Sequence, residues 1–191
     1  RSPVRIKLPN PVRQLAAGNN HSLAITGDGA VWGWGCNDGR QLSPASSSDG
    51  SIVLPTPILV SSPAAPVLMS QVAAGLFHSV LLSSAGEIFV LGLGCPRPST
   101  TPTIDWMPVN DAEVVLFIKA ATEVCAGARH TIVADDSNPR RILSWGAAGE
   151  GQCGFQHRPS LVIPPGHPAW PASFQVLPRR VSVQGLAPSS S

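Results

Sequence analysis

Three histidines of this chain each stand beside a hydroxyl residue, in the strings Gly18-Asn19-Asn20-His21-Ser22, Gly75-Leu76-Phe77-His78-Ser79 and Gly127-Ala128-Arg129-His130-Thr131. Taken singly, a histidine next to a serine is the material of a small active site, and Asn20-His21-Ser22 also spells a glycosylation sequon. Catalysis, however, requires one particular histidine in one asymmetric constellation. Here the same residue returns in the same place at a period of roughly fifty residues, as packing in a repeat requires. A buried imidazole donates from one nitrogen and accepts at the other. The histidines are therefore read as scaffold, with Gly18, Gly75 and Gly127 sparing a side chain where strands crowd.

Other chemistry falls to its context. Gly149-x-Gly151-x-x-Gly154 has the spacing of a dinucleotide loop, but Arg158-Pro159 and Pro164-Pro165 follow where an amphipathic helix is needed. Cys153, His157 and His167 supply at most three zinc ligands, and Cys153 belongs to a repeat element. No Gly-x-Ser-x-Gly elbow occurs, and no pair of carboxylates is marked out by its surroundings. No catalytic, cofactor-binding or metal site is expected, and no cofactor.

Composition points to strands and loops. Of 191 residues, 18 are Gly and 20 are Pro, enough to puncture helices and supply many turns, while only 13% are charged. The net charge of +2 is scattered, with Arg140-Arg141 and Arg179-Arg180 the adjacent basic pairs, so direct nucleic-acid binding is not expected. The most apolar stretch, Val72 to Cys95, is broken by His78, serines and Glu87, so no membrane span is expected. Cys36, Cys95, Cys125 and Cys153 form no Cys-x-x-Cys pair and read as free thiols, which suits a nuclear or cytoplasmic setting. The chain opens Arg1-Ser2-Pro3 without an initiator methionine, and a fragment of a longer chain is one expectation from that.

The histidine strings sit inside longer repeats that start at Val12, Met69 and Ala121. In each, an apolar residue and Ala-Gly lead to the histidine, then an apolar run, a turn, a second apolar run and a closing glycine. Gly27-Asp28-Gly29 and Ser84-Ala85-Gly86 predict tight hairpins, and the third turn, Asp135 to Arg141, is longer and contains Asn138-Pro139. Pro- and Ser-rich stretches between repeats read as surface loops carrying one further short strand, such as Ile58-Leu59-Val60 or Val114 to Ile118. Three or four short strands per unit at this period predict propeller blades. The expected division is 1–11 as the end of a preceding blade, then repeats 12–68, 69–120 and 121–183, and a flexible tail 184–191.

The string Ala-Gly-x-x-His-Ser, turn, Val-x-x-Trp-Gly, then Gly-Gln-x-Gly resembles the repeat of the regulator of chromosome condensation (RCC1) family. The last element stands as Gly151-Gln152-Cys153-Gly154 and, degraded, as Gly39-Arg40-Gln41-Leu42; Leu93-Gly94 replaces Trp-Gly in the second copy. The resemblance implies an all-β, RCC1-like β-propeller with about three blades present, a partial ring of a seven-bladed type. Its structural repeat positions would be Gly18, His21, Trp34, Gly35, Gly75, His78, Gly94, Gly127, His130, Trp145 and Gly146. Trp32, Trp34 and Trp145 are expected in the core. A solitary arc leaves two blade faces open, which predicts a segment of a longer propeller or a chain missing blades.

Propellers display variable loops on rigid blades, so the leading expectation is a non-enzymatic protein–protein interaction scaffold. Asn19, Asn20, Arg129, Arg140 and Arg141 are the candidate partner-facing residues. Photoreceptor members of the family stack tryptophans where Asn19-Asn20, Leu76-Phe77 and Ala128-Arg129 stand here, so light sensing is not expected. The family resemblance also implies an alternative, guanine-nucleotide exchange on a Ran-like small GTPase. A narrower likeness of "SWGAAGEGQCG" and "VWGWGCNDGRQL" is to an RCC1-like subgroup of fungal type. That subgroup is associated with transfer-RNA wobble modification and diphthamide synthesis, through a small metal-carrying partner.

Overall fold

The computed structural model of the chain describes residues 2–42, 50–58, 60, 67–92, 113–114, 118, 120–136, 141–147, 150–154 and 174–180. These residues form strands and turns, with no helix among them. The first sheet contains β1 (Val12–Ala17), β2 (His21–Thr26), β3 (Val31–Cys36) and β4 (Ser51–Ile58), antiparallel and in chain order. The second repeats that meander with β5 (Met69–Ala74), β6 (His78–Ser83), β7 (Ile88–Gly92) and β8 (Glu113–Val114). The third uses β9 (Ala121–Ala126), β10 (His130–Asp135), β11 (Arg141–Ala147) and β12 (Phe174–Arg180). Each is a four-stranded antiparallel meander, the form expected of a propeller blade.

The hairpins explain why the strands turn where they do. Gly29 (φ +79°) and Gly86 (φ +84°) take the left-handed conformation that closes the β2–β3 and β6–β7 turns. Thr26 N–H donates to Ala30 O at 3.0 Å and Ser83 N–H to Glu87 O at 2.9 Å. In the third blade Asp135 and Arg141 are themselves strand ends, and residues 137–140 lie outside the described residues. The fourth strand of blade 1 falls earlier than the expected Ile58-Leu59-Val60. Its Pro55 and Pro57 are tolerated because it forms the outer edge of the sheet. In blade 2 the paired residues are Glu113 and Val114, while Ile118 is buried outside the strand.

No blade has a core of its own. Side chains alternate across a strand, so each blade has a leading face toward the preceding blade and a trailing face toward the next. Leu23, Ile25 and Val31 from blade 1 pack against Met69, Val72, Leu81 and Phe89 from blade 2. Val80, Leu82 and Ile88 from blade 2 then pack against Val124, Val133, Leu143 and Trp145 from blade 3. Hence β6 is buried on both faces along its whole length, whereas β1 is mostly exposed or half-exposed. This seam packing corrects one expectation. Trp32 and Trp34 are only half-buried, while Trp145 is 1% exposed. All three tryptophans lie on leading faces; blade 2 covers Trp145, and no described blade covers the other two.

Candidate functional site

β2, β6 and β10 each begin with a repeat histidine. His21 Nε2 hydrogen-bonds Ser79 Oγ at 3.0 Å, and His78 Nε2 hydrogen-bonds Thr131 Oγ1 at 3.1 Å. Each histidine thus reaches the hydroxyl that follows the next repeat's histidine. The ring lies over its own turn: Gly18, Gly75 and Gly127 each donate N–H to the carbonyl of their histidine at 2.9 Å. A methyl group at Gly75 would overlap the His78 ring, so only glycine fits there. Burial drives the histidine pKa down to about 4 for His21, partly opposed by the backbone of His78. Burial also lowers His78 to about 4, and the neighbouring His21 and His130 add to the effect. Both imidazoles are neutral at pH 7, weak as bases and occupied at Nε2, which makes them clasps between blades. His130 is half-buried, its pKa is lowered by burial, and its ring has no partner among the described residues.

A second clasp carries no signal in a single repeat. Val72 N–H donates to Gln14 Oε1 at 3.0 Å, while Gln14 Nε2 reaches Val72 O at 3.4 Å. One blade on, Val124 N–H donates to Gln71 Oε1 at 3.2 Å and Gln71 Nε2 donates to Thr122 O at 2.9 Å. Aligning the repeats on their histidines would reveal the pair, since both glutamines stand seven residues before one. In the third repeat that position is Glu123, and it is exposed.

The register also corrects a repeat position. Gly35 pairs with His21 and Gly146 with His130, and in blade 2 the residue opposite His78 is Gly92, not Gly94. Gly92 shares the positive φ of the other two, +92° beside +104° and +109°. The tandem Leu91-Gly92-Leu93-Gly94 offers two equivalent readings in sequence, and strand pairing decides between them; Gly94 lies outside the described residues. The Gly-Gln element shifts likewise. Gly39 N–H donates to Gln41 Oε1 at 2.9 Å and Glu150 N–H to Gln152 Oε1 at 2.8 Å, which aligns Arg40 with Gly151. Arg40 holds φ +58° where Gly151 holds +77°, a left-handed position that disfavours a side chain.

The turns between first and second strands lie side by side across the three blades. Asn19 N–H donates to Gly75 O at 3.2 Å, and Leu76 N–H donates to Ala128 O at 2.8 Å. Asn19, Asn20, Ala128 and Arg129 are exposed on this rim, with Leu76 and Phe77 half-buried between them. The loop containing Arg40 adjoins it, Gly39 lying against Phe77. Arg141 is no rim residue. It lies in β11, and its guanidinium binds the fully buried Asp135 through Nε at 3.0 Å and Nη2 at 2.8 Å. Arg140 lies outside the described residues, as do His157 and His167. Cys153 is buried, its thiol reaching Ala147 O at 3.1 Å, and burial pushes its pKa up. Among the described residues no group of side chains is arranged to hold a metal ion, and no helix is long and apolar enough to cross a membrane.

Two family models, both described as the regulator of chromosome condensation (RCC1) repeat, match residues 12–41 and 28–82. The chain belongs to the RCC1-repeat family. Its three sheets correspond to three such repeats. The human protein named probable E3 ubiquitin-protein ligase HERC3 is 28% identical over 156 residues, 81% of this chain but 14% of that protein. Human WBSCR16 superposes with a TM-score of 0.72 at 19% identity, over 95% of this chain and 44% of that one. Prp20p from Saccharomyces cerevisiae, described with its binding to Gsp1p and histones, superposes at 0.67 with 21% identity, over 91% and 39%. The chain therefore spans less than half of each of these relatives, and the two structural likenesses establish the fold.

Proposed function

We propose that this RCC1-repeat chain is a non-enzymatic interaction scaffold whose contact surface is the rim formed by the Gly18–Asn20, Gly75–Phe77 and Gly127–Arg129 turns. The observation that carries the reading is the division of labour within one short string. Glycine is committed to its turn in all three blades, and histidine to the next blade in blades 1 and 2. The two residues between them differ in every repeat and face outward in blades 1 and 3. A rigid row of unlike side chains is the kind of surface on which propellers place specificity. Asn19, Asn20 and Arg129 are its proposed contacts. Arg40, held at positive φ next to the Gly39 that lies against Phe77, joins them, since backbone strain collects at functional loops. The proposed repeats run 12–68, 69–120 and 121–183, and a nuclear or cytoplasmic setting is proposed with them. The test is affinity capture with the chain and with an Asn19→Ala, Asn20→Ala, Arg129→Ala variant of equal melting temperature. Specific loss of the same partners from the variant supports the rim, and equal capture overturns it.

Guanine-nucleotide exchange is the second reading, supported by the fold shared with Prp20p and by that protein's described binding to Gsp1p. Exchange needs no acid–base residue, only loops that displace nucleotide. Faster nucleotide release from a Ran-type GTPase at catalytic amounts of this chain would replace the scaffold reading.

A further inference from the structure

The outer strand of blade 1, β4, is weakly paired where it is most exposed. Thr56 pairs with Gly33 and Ile52 with Gly35, so Val53, Leu54 and Pro55 together stand opposite Trp34 alone. Three residues against one make the strand bulge from its partner and break the ladder locally. Pro55 and Pro57 have no N–H to give in any case. Val53 is 83% exposed and Leu54 74%, and Thr56 and Pro57 are exposed beside them.

The exposure of Thr56 is not that of a blade face left open. Leu15 is 66% exposed on the leading face of blade 1, where Val72 and Val124 on the other blades are buried. Thr56 belongs instead to the trailing face, since the pairs Val31–Ile58 and Gly33–Thr56 place it with Val31 and Ile58. Blade 2 packs on that face. Thr56 is exposed with blade 2 in place because β4 is the edge strand, and blade 2 meets blade 1 chiefly through β5 on β1 and β2. Its hydroxyl donates to Leu54 O at 3.0 Å, a bond within the bulge itself. Neither β3 nor β4 carries a charged side chain.

We propose that Thr56 is a phosphorylation site for a proline-directed serine/threonine kinase. Pro57 marks the threonine before it as the acceptor, and both prolines weaken the pairing that would keep this segment out of a kinase cleft. In the transfer, Thr56 Oγ1 forms a bond to the γ-phosphorus of ATP. The bond from that phosphorus to its bridging oxygen breaks, ADP leaves, and the hydroxyl proton passes to the kinase's carboxylate base. The resulting ester oxygen has no proton for Leu54 O, and the phosphate brings a charge of about −1.5 to −2 to an uncharged strand. The modification loosens the bulge and turns the apolar edge around Val53 and Leu54 into an anionic one. The inference concerns the outer edge of the blade and stands independently of the rim.

The test incubates the folded chain with ATP and a cyclin-dependent kinase, and in parallel with a mitogen-activated kinase. Ser2, Ser43, Ser62 and Thr101 also precede proline, so the phosphate is located by tandem mass spectrometry rather than counted. Phosphate at Thr56 is expected with at least one kinase; Thr56→Val should remove it, and Pro57→Ala should slow its transfer about tenfold or more. Amides of Ile52–Thr56 should exchange about threefold faster or more in the phosphorylated chain, as loosened pairing requires. Phosphate confined to the other sites overturns the proposal. So does phosphorylation of a free peptide spanning residues 51–60 but not of the folded chain, because strand pairing would then shield Thr56. Unchanged exchange after phosphorylation overturns the loosening of the bulge.

Discussion

His21 of blade 1 and Ser79 of blade 2, 58 residues apart, are joined at 3.0 Å in a buried hydrogen bond. His78 and Thr131 repeat it across the next seam at 3.1 Å. A residue pair that looks like an active-site fragment within one repeat is thus two halves of different bonds. The histidine serves the seam behind it in space, and the hydroxyl serves the seam before it.

His78→Ala should lower unfolding free energy by about 1–3 kcal/mol, since it leaves a buried hydroxyl unsatisfied. Thr131→Val should cost about 1–2 kcal/mol. Denaturant melts of both variants and the double variant should give a coupling of about 1 kcal/mol, whereas strict additivity would show that the pair contributes nothing jointly.

Acid should loosen the same seams. His21 and His78 hold folded pKa values of about 4 against an ordinary 6.5. As pH falls through 6.5 the unfolded chain takes up protons first, so stability declines between 6.5 and 4 and levels off below. Each histidine accounts for a loss of roughly 3 kcal/mol by pH 4. Melts across that window should slope downward toward acid, and His78→Ala should make the slope shallower by about half.

Matched positions on a covered and an open face should respond oppositely to charge. Val72→Asp buries a carboxylate in the first seam and should cost about 3 kcal/mol or more. Leu15→Asp, at the same repeat position in blade 1, should stay within about 0.5 kcal/mol of the parent. Similar losses from both would mean that something covers blade 1.

Arg141→Met should cost about 2–3 kcal/mol by withdrawing the cation from fully buried Asp135. The companion Asp135→Asn, Arg141→Met variant should recover part of that loss in thermal melts. A single-variant effect below about 0.5 kcal/mol would show that the pair is no more than a surface bridge.

Much of the fold was legible because repetition is visible in one dimension. Three copies of Gly-x-x-His with a hydroxyl residue marked the starts of β2, β6 and β10, and the Asp28-Gly29 and Ala85-Gly86 turns marked the hairpins. Errors arose where sequence offered two equivalent registers or where a partner strand set the outcome. Gly92 and Gly94 both follow leucine, and only pairing with His78 selects Gly92. Arg140-Arg141 resembles a solvated turn until Arg141 is found beside Asp135. The candidate rim was half legible: the variable pair between glycine and histidine stood out, but not that three such pairs form one row.

Sequence alone determined the unit, since turn-forming glycines, alternating apolar residues and a recurring histidine are local properties that each repeat carries. Tertiary structure alone decided what each copy of a position does. Leu15 and Val72, or Trp34 and Trp145, are equivalent in sequence and unlike in burial. A blade buries its faces only against its neighbours, so a residue's environment depends on which blade stands beside it.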